Sequence, residues 1–206
     1  MSGEARLPPG SLDAIEAEAW ALLEAGGGSF RAPFHAGSLG TIGDDGPNLR
    51  TVILRSADGA RRRIWCHSDI RSPKIAELAV DNRIAWTLYD EALRLQFRAW
   101  GRAKVHHDDD VARARWESTA LNSRRIYHAI APPSSISPIA TGGLPPELDD
   151  ERWTPAFSER GAANFVALET QITRLEALYL HHAGHRRAQF RYGDDGVRLA
   201  ADWLIP

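Results

Sequence analysis

Two basic stretches decide the fold and the site: Arg50-Thr51-Val52-Ile53-Leu54-Arg55, and residues 65–74, which read Trp-Cys-His-Ser-Asp-Ile-Arg-Ser-Pro-Lys. The first predicts a strand because its interior is mostly β-branched, and this strand has a guanidinium at each end. The turn signal Asp58-Gly59 predicts a hairpin that returns the chain to a second strand, which ends among serine, arginine and lysine side chains. Charge-assisted hydrogen bonds from such a cluster suit a phosphate group. The two stretches therefore predict a site for a small phosphorylated ligand.

The composition predicts a single domain over residues 1–206 and limits the possible partners. The chain is 43% hydrophobic and 25% charged, with a formal net charge of −2, which favours neither a nucleic-acid nor a membrane partner. The single cysteine, Cys66, excludes a disulfide framework within the chain and a Cys-rich metal site. Residues 1–4 lack a basic segment followed by an apolar run, so we expect no signal peptide and a cytoplasmic location.

Helix signals occur at three places. A helix is predicted over about residues 11–25, with Ser11 as its N-cap and Gly26-Gly27-Gly28 at its end. Ser72-Pro73 predicts the start of a short helix, because proline is tolerated at the first helical position. Asp108-Asp109-Asp110 predicts the capped start of another.

Alternating apolar residues and turn residues divide the remainder into strands. The predicted strands cover residues 34–42, 50–55, 63–67, 83–89, 93–105, 188–192 and 197–204. Residues 165–180 are ambiguous, because some of their apolar residues fit a helix and others fit strands; periodicity alone leans towards a helix. A long Pro/Gly-rich loop over about residues 129–162 either covers a ligand or subunit surface or is partly disordered. These elements predict a mainly β (α+β) protein, a small antiparallel barrel with short peripheral helices.

The same segments, in order, resemble the pyridoxamine 5′-phosphate oxidase-like flavoproteins, which fold as an antiparallel split β-barrel that binds FMN. Residues 50–55 resemble the family's Arg-x-Val-Leu-Leu-Lys/Arg segment, and His67-Ser68 resembles the aromatic-Thr pair that follows it. Ser72-Pro73-Lys74 resembles the family's Ser-Arg-Lys, and Gln96 opens a segment that resembles Gln-x-x-x-x-Gly. Pro133-Ser134-Ser135 falls where the family often has Gln-Ser-Ser. The resemblance extends from about residue 34 to the C-terminus, where His185-Arg186-Arg187-Ala188 resembles the family's His-Arg segment, and it favours strands for residues 165–180.

The resemblance implies FMN as the cofactor, with the flavin N5 accepting a hydride, so no catalytic side chain is predicted. The implied cofactor-binding residues are Arg50, Thr51, Val52, Ile53, Leu54, Arg55, His67, Ser68, Ser72, Lys74, Gln96 and Ser134. Arg55 and Lys74 are favoured as phosphate contacts, because strand alternation places Arg50 and Arg55 on opposite faces. Gln96 would bond the polar edge of the ring, and Arg186 would meet a small anionic substrate. The family also implies a homodimer with FMN at the subunit interface.

Departures from the family pattern predict a divergent branch. Pro73 replaces a basic phosphate ligand, for which the neighbouring Arg71 is a candidate substitute, and Leu180 stands where the authentic oxidases have a flavin-contacting Trp. Ala188 replaces a substrate-binding His, and residues 120–125 offer no clear match for the substrate-phosphate Arg and Ser. The predicted function is therefore that of an FMN-dependent oxidoreductase with an unassigned substrate. The alternative is a non-enzymatic flavin- or haem-binding module on the same barrel.

Overall fold

The computed structural model of the chain describes residue 8, residues 10–146, residue 148 and residues 153–206. The helices are α1 (Leu12–Gly28), α2 (Pro73–Val80), α3 (Asp110–Glu117) and α4 (Pro155–Ser158), with 3₁₀ helices at Leu121–His128 and Glu159–Asn164. The strands are β1 (Ala36–Gly43), β2 (Gly46–Ile53), β3 (Ser56–Asp58), β4 (Arg63–Asp69), β5 (Arg83–Asp90), β6 (Leu95–His106), β7 (Phe165–Tyr179), β8 (Arg186–Tyr192) and β9 (Arg198–Leu204). Residues 1–4, on which the signal-peptide prediction depends, and part of the predicted 129–162 loop lie outside the described residues. Within the described residues, no helix has the length and apolar character needed to cross a membrane.

The N-terminal helix has the capping chemistry that its sequence predicts. The Ser11 hydroxyl accepts a hydrogen bond from the Ala14 N–H at 3.2 Å, which satisfies one of the free N–H groups of the first turn. The helix ends at Gly28, slightly beyond the predicted end at about residue 25. Its apolar side, including Ile15 and Leu23, is buried in the main core. The helix therefore packs against the barrel.

The mainly β, split-barrel prediction is confirmed by an all-antiparallel nine-stranded sheet. Its strand order is β2-β1-β5-β6-β7-β4-β3, and β8 pairs with β7 and β9. One edge of β7 has two partners, because residues 165–171 pair with β4 and residues 174–179 pair with β8. The sheet divides at this point. Residues 165–180 thus form one long strand where the pattern was ambiguous.

The barrel closes where β2 runs into β3. The Leu54 N–H donates to the His35 carbonyl oxygen beside β1, and the Arg55 N–H donates to the Trp65 carbonyl oxygen in β4, both at 2.8 Å. Leu54 and Arg55, which are consecutive, thus hydrogen-bond to segments near the two opposite edges of the sheet. We call this junction between β2 and β3 the seam. The predicted hairpin forms between β3 and β4, whereas β2 pairs with β1. The single-hairpin interpretation of the two basic stretches was therefore wrong, because the chain changes partner strand at Leu54.

Two clusters of buried side chains lie on the two faces of β4. The main core fills the barrel and includes Leu54, Trp86 and Phe97. A smaller cluster outside it joins Trp65, Trp116, Tyr127, Phe165 and Ala167. Helix α3 and the first 3₁₀ helix supply Trp116 and Tyr127, so they cover this outer face of β4 beside the seam.

Candidate functional site

A cavity of about 320 Å³ lies at the seam, and we call it the seam cavity. Its volume falls in the range of roughly 300–1,000 Å³ that is common for small-molecule sites. The lining residues come from both basic stretches and from the segment after α3; they are Arg50, Thr51, Val52, Ile53, Arg55, His67, Ser68, Asp69, Ser72, Lys74, Ile126, Tyr127 and Pro133. The fold thus brings together nine of the twelve residues that the resemblance assigned to the cofactor.

Two cations that line the seam cavity have no carboxylate partner. Among the described residues, no acidic group lies within ion-pair distance of Arg55 or Lys74. Lys74 Nζ donates to the hydroxyl oxygens of Ser68 at 3.0 Å and Ser72 at 2.6 Å. Burial lowers the pKa of Lys74, since it disfavours the charged form. A partly buried cation that has only neutral partners leaves room for an anionic ligand.

The other two basic side chains of the region are already neutralised. Arg50 lies 3.2 Å from the Glu77 carboxylate and also donates to the Thr41 hydroxyl. Arg71 lies 2.7 Å from the Asp69 carboxylate, and its side chain does not line the cavity. Arg71 therefore does not replace the family's basic residue at position 73, and the uncompensated charge rests on Arg55 and Lys74.

His67 adds an unsatisfied polar group to the lining of the cavity. Both ring nitrogens are buried and have no hydrogen-bond partner. Burial lowers the pKa of His67 to about 3, and the charges of Arg55 and Arg115 act in the same direction. The ring packs edge-on against Phe165 with centroids 4.7 Å apart. A neutral imidazole held in this way has one donor and one acceptor to offer to a ligand.

Tyr127 is a lining residue that the sequence interpretation missed. It lies in the first 3₁₀ helix, and burial raises the pKa of its phenol, which keeps it neutral. Its ring packs edge-on against Trp116 and Phe165. In the sequence, Tyr127 is a lone aromatic residue between two arginines and a Pro-rich segment. This stretch has no periodicity that would predict its place in the fold. Only the packing of this helix on β4 identifies Tyr127 as part of the site.

Three predicted cofactor residues and the predicted substrate residue do not line the seam cavity. Leu54 is fully buried in the main core, and Ser134 is exposed in a turn with φ 72°. Gln96 lies near the start of β6, which is three strands from β2 and two strands from β4 in the sheet order, and it does not line the seam cavity. Arg186 borders a separate cavity of about 570 Å³ near the C-terminus. Within one chain, the predicted ring contact and substrate contact are thus apart from the predicted phosphate contacts.

Ala188 and Leu180, the two C-terminal positions that differ from the family pattern, lie in different surroundings. Ala188 is fully buried in β8, where its side chain joins the main core. Leu180 follows β7 and borders a cavity with His181, His182 and His185. In the described part of the chain, no group of three or more His, Cys, Asp or Glu side chains could hold a metal ion.

Comparison with known proteins supports the resemblance on which these assignments depend. The sequence profile of the pyridoxamine 5′-phosphate oxidase FMN-binding domain matches residues 20–107, which include both basic stretches. The predicted family resemblance is thereby confirmed for that segment. Comparison with curated protein sequences gives no match.

Solved structures with the same fold span nearly the whole chain. A pyridoxamine 5′-phosphate oxidase-related FMN-binding protein from Nostoc punctiforme is 18% identical, with a TM-score of 0.69, over 92% of this chain and 96% of its own. PhzG from Burkholderia lata, solved with tetrahydrophenazine-1-carboxylic acid, is also 18% identical, with a TM-score of 0.69, over 99% of this chain and 100% of its own. A general stress protein 26-related protein from Clostridium acetobutylicum is 16% identical, with a TM-score of 0.51, over 86% and 94%. At these identities the likeness establishes the fold.

Proposed function

We propose, from the premise that residues 20–107 match the FMN-binding domain of the pyridoxamine 5′-phosphate oxidase family, that this chain is an FMN-dependent oxidoreductase with an unassigned substrate. The observation that carries the proposal is the pair Arg55 and Lys74. Both line one cavity at the seam and neither has a carboxylate partner among the described residues. A phosphate group would supply the missing negative charge.

The residues around this pair fit a phosphate ester. Ser68 and Ser72 accept hydrogen bonds from Lys74. The Ser72 hydroxyl keeps its own proton for donation to a phosphate oxygen, whereas the Ser68 hydroxyl makes a long bond, at 3.5 Å, to the Asp69 carbonyl oxygen. Arg55 would add a planar fork of donors. Because Arg50 is already paired with Glu77, it would neutralise less of the phosphate charge than Arg55 and Lys74.

Bound FMN would supply the redox chemistry, with its N5 as the hydride acceptor and oxygen or another acceptor taking the electrons. The side chains of this chain bind and orient the cofactor. His67, held neutral in its buried setting, offers one N–H donor and one nitrogen acceptor to the ligand without adding charge. Among the residues that line the seam cavity, we assign no general base.

The proposed active unit is a homodimer with FMN between the subunits. Gln96 and Arg186, the proposed contacts to the ring and to an anionic substrate, lie away from the seam cavity of their own chain. A second copy could bring its Gln96 and Arg186 to that cavity. Large apolar side chains are exposed on the sheet, including Leu49 at 75% and Trp203 at 49%, and they supply surface for such a contact.

The decisive experiment is an FMN titration that compares two matched sets of variants. We expect Arg55→Ala with Lys74→Ala to weaken FMN binding at least 100-fold, since each charge-assisted contact contributes roughly 1.5–3 kcal/mol. The control is Arg83→Ala with Lys104→Ala, which removes the same charge from exposed positions outside the cavity. Flavin fluorescence quenching gives the dissociation constants. Equal affinities for the two double variants, or no FMN uptake by the wild-type chain, would refute the proposal.

Turnover of pyridoxamine 5′-phosphate is a separate question. Ala188, which replaces the family's substrate-binding His, points into the core, so this position offers no side chain to a surface site. We therefore expect no appreciable oxidation of pyridoxamine 5′-phosphate by the FMN-loaded protein. Hydrogen peroxide release with this substrate would contradict that expectation.

One observation favours a second candidate function, a non-enzymatic haem-binding module. His67 has two unpartnered ring nitrogens at the seam cavity, and neutral imidazole is a common haem ligand. The absorption spectrum of the purified protein separates the two functions. A Soret band without flavin absorption would favour haem, and a flavin spectrum that bleaches with a substrate or a reduced nicotinamide would favour the oxidoreductase.

A further inference from the structure

A second cavity, of about 460 Å³, lies along the same face of β4 as the seam cavity, and we call it the Arg115 cavity. Side chains alternate along a strand, so Arg63, Trp65 and His67 share one face. Trp65 lines the Arg115 cavity and His67 lines the seam cavity. The lining residues are Glu24, Ser56, Ala57, Asp58, Arg61, Arg63, Trp65 and Arg115. None of these residues belongs to the proposed FMN site.

Arg115 contacts two neutral side chains. Its Nη1 donates to the Ser56 hydroxyl at 2.7 Å, and its guanidinium carbon lies 4.4 Å from the centroid of the Trp65 ring. No carboxylate lies within ion-pair distance of it in the ranges that the structure describes. Burial lowers the pKa of Arg115, an effect that Glu169 opposes from a distance. The side chain is thus an oriented, partly desolvated cation to which no described residue supplies a counter-ion.

The other two cations of the cavity are paired within the fold, whereas the lining carboxylate of Glu24 has no cationic partner among the described residues. Asp58 pairs with Arg61 at 3.0 Å, and Glu169 pairs with Arg63 at 3.5 Å. One carboxylate oxygen of Glu24 accepts a backbone N–H bond at 2.8 Å. Arg115 is therefore the lining cation whose charge the described carboxylates leave unpaired.

We propose that the Arg115 cavity binds a small oxyanion, the carboxylate or phosphate group of a metabolite, through Arg115 and Ser56. A guanidinium has five N–H donors, and Ser56 uses one of them, so a fork remains for an oxyanion. The Ser56 hydroxyl accepts from Arg115 and keeps its own proton for donation. Arg61 and Arg63 also line the cavity, but their charges are already paired with Asp58 and Glu169. This site is independent of the proposed FMN site.

The test measures anion binding in a full-length background that carries Arg55→Ala and Lys74→Ala. These changes remove the unpaired cations of the seam cavity, so that anions bound there do not contribute. Inorganic phosphate and succinate are titrated separately by calorimetry at low ionic strength, and the tighter of the two identifies the preferred oxyanion. We expect saturable binding of at least one anion at one site per chain. Absence of saturable binding for both anions would overturn the proposal.

The matched variants are Arg115→Gln and Arg113→Gln in that background. Both lie on α3, but Arg113 is exposed, pairs with Asp110 and does not line the Arg115 cavity. We expect Arg115→Gln to weaken anion binding at least about tenfold, because a charge-assisted contact is lost, and Arg113→Gln to leave it unchanged. Equal losses in the two variants would mean that net charge alone attracts the anion and would overturn the proposal.

Two milder variants keep the test valid if Arg115→Gln unfolds the chain. Ser56→Ala removes the hydroxyl, and Arg115→Lys keeps the charge but loses the planar fork. We expect each to weaken binding severalfold while far-UV circular dichroism is unchanged, and unchanged binding in both would overturn the proposal. Because FMN binding is titrated separately in the wild-type chain, failure of either site is distinguishable from failure of the other.

Discussion

The unpartnered imidazole of His67 should make the stability of the flavin-free chain depend on pH. His67 has a folded-state pKa lowered to about 3, whereas an unfolded histidine titrates near 6.5. Between these values the unfolded chain binds more protons, so the free energy of unfolding falls as the pH falls through 6.5 towards 3. From pH 7 to pH 5 this one group costs about 2 kcal/mol by the linkage relation. The protein should therefore be less stable at pH 5 than at pH 7.

The assay is urea unfolding of flavin-free protein at pH 7 and pH 5, for the wild-type chain, His67→Phe and His182→Gln. The lower limit of pH 5 lies above the ordinary carboxyl pKa of about 4, which isolates the histidine contribution. His67→Phe keeps an aromatic ring against Phe165 and removes the titrating group, so its pH-dependent loss should be smaller by about 2 kcal/mol. His182→Gln removes an exposed histidine and should behave like the wild type. An unchanged pH dependence in His67→Phe would refute the reasoning.

Three further predictions concern stability and reactivity. Gly101→Ala should lower the free energy of unfolding by about 1–3 kcal/mol, because a Cβ there would overlap the Gln171 carbonyl oxygen at the bulge of β6. The control is Gly142→Ala, whose Cβ meets no neighbouring atom, and equal urea midpoints for the two variants would contradict the clash. Cys66 should resist a thiol reagent in the native protein at pH 8, because burial raises its pKa to about 12, and fast labelling before unfolding would contradict its burial. Ser11→Ala should cost about 1 kcal/mol through loss of the helix cap, measured by thermal melting against the exposed Ser118→Ala.

Local patterns predicted most of the elements, and they failed where burial removes the pattern. The alternation in β5 is clear because one of its faces is buried and the other is exposed. Eleven of the fifteen residues of β7 are buried and none is exposed, so its apolar side chains follow no period of two, and periodicity leaned towards a helix. The family resemblance, rather than periodicity, favoured strands there. It did not indicate that one continuous strand pairs with both β4 and β8.

The candidate site was predictable where its residues are close in sequence. Residues 50–55 and 67–74 flank the seam, so most of their predicted members reach one cavity. Tyr127 joins them from a 3₁₀ helix far along the chain, and no local signal places it there. Arg115 likewise reaches Trp65 only because α3 folds over β4. Such contacts depend on packing between distant segments, which a single sequence does not encode in its spacing.

By itself, the sequence determined the residue types, the turns, the caps and the family resemblance of the segment that carries the basic stretches. Strand alternation favoured Arg55 and Lys74 as phosphate contacts, but no linear pattern shows which of the four cations of that region are ion-paired. The tertiary structure decided that Glu77 neutralises Arg50 and Asp69 neutralises Arg71, while no described carboxylate pairs with Arg55 or Lys74 at the seam. The physical reason is that ion pairing depends on separations of a few ångströms, and these exist only once strands and helices have packed together.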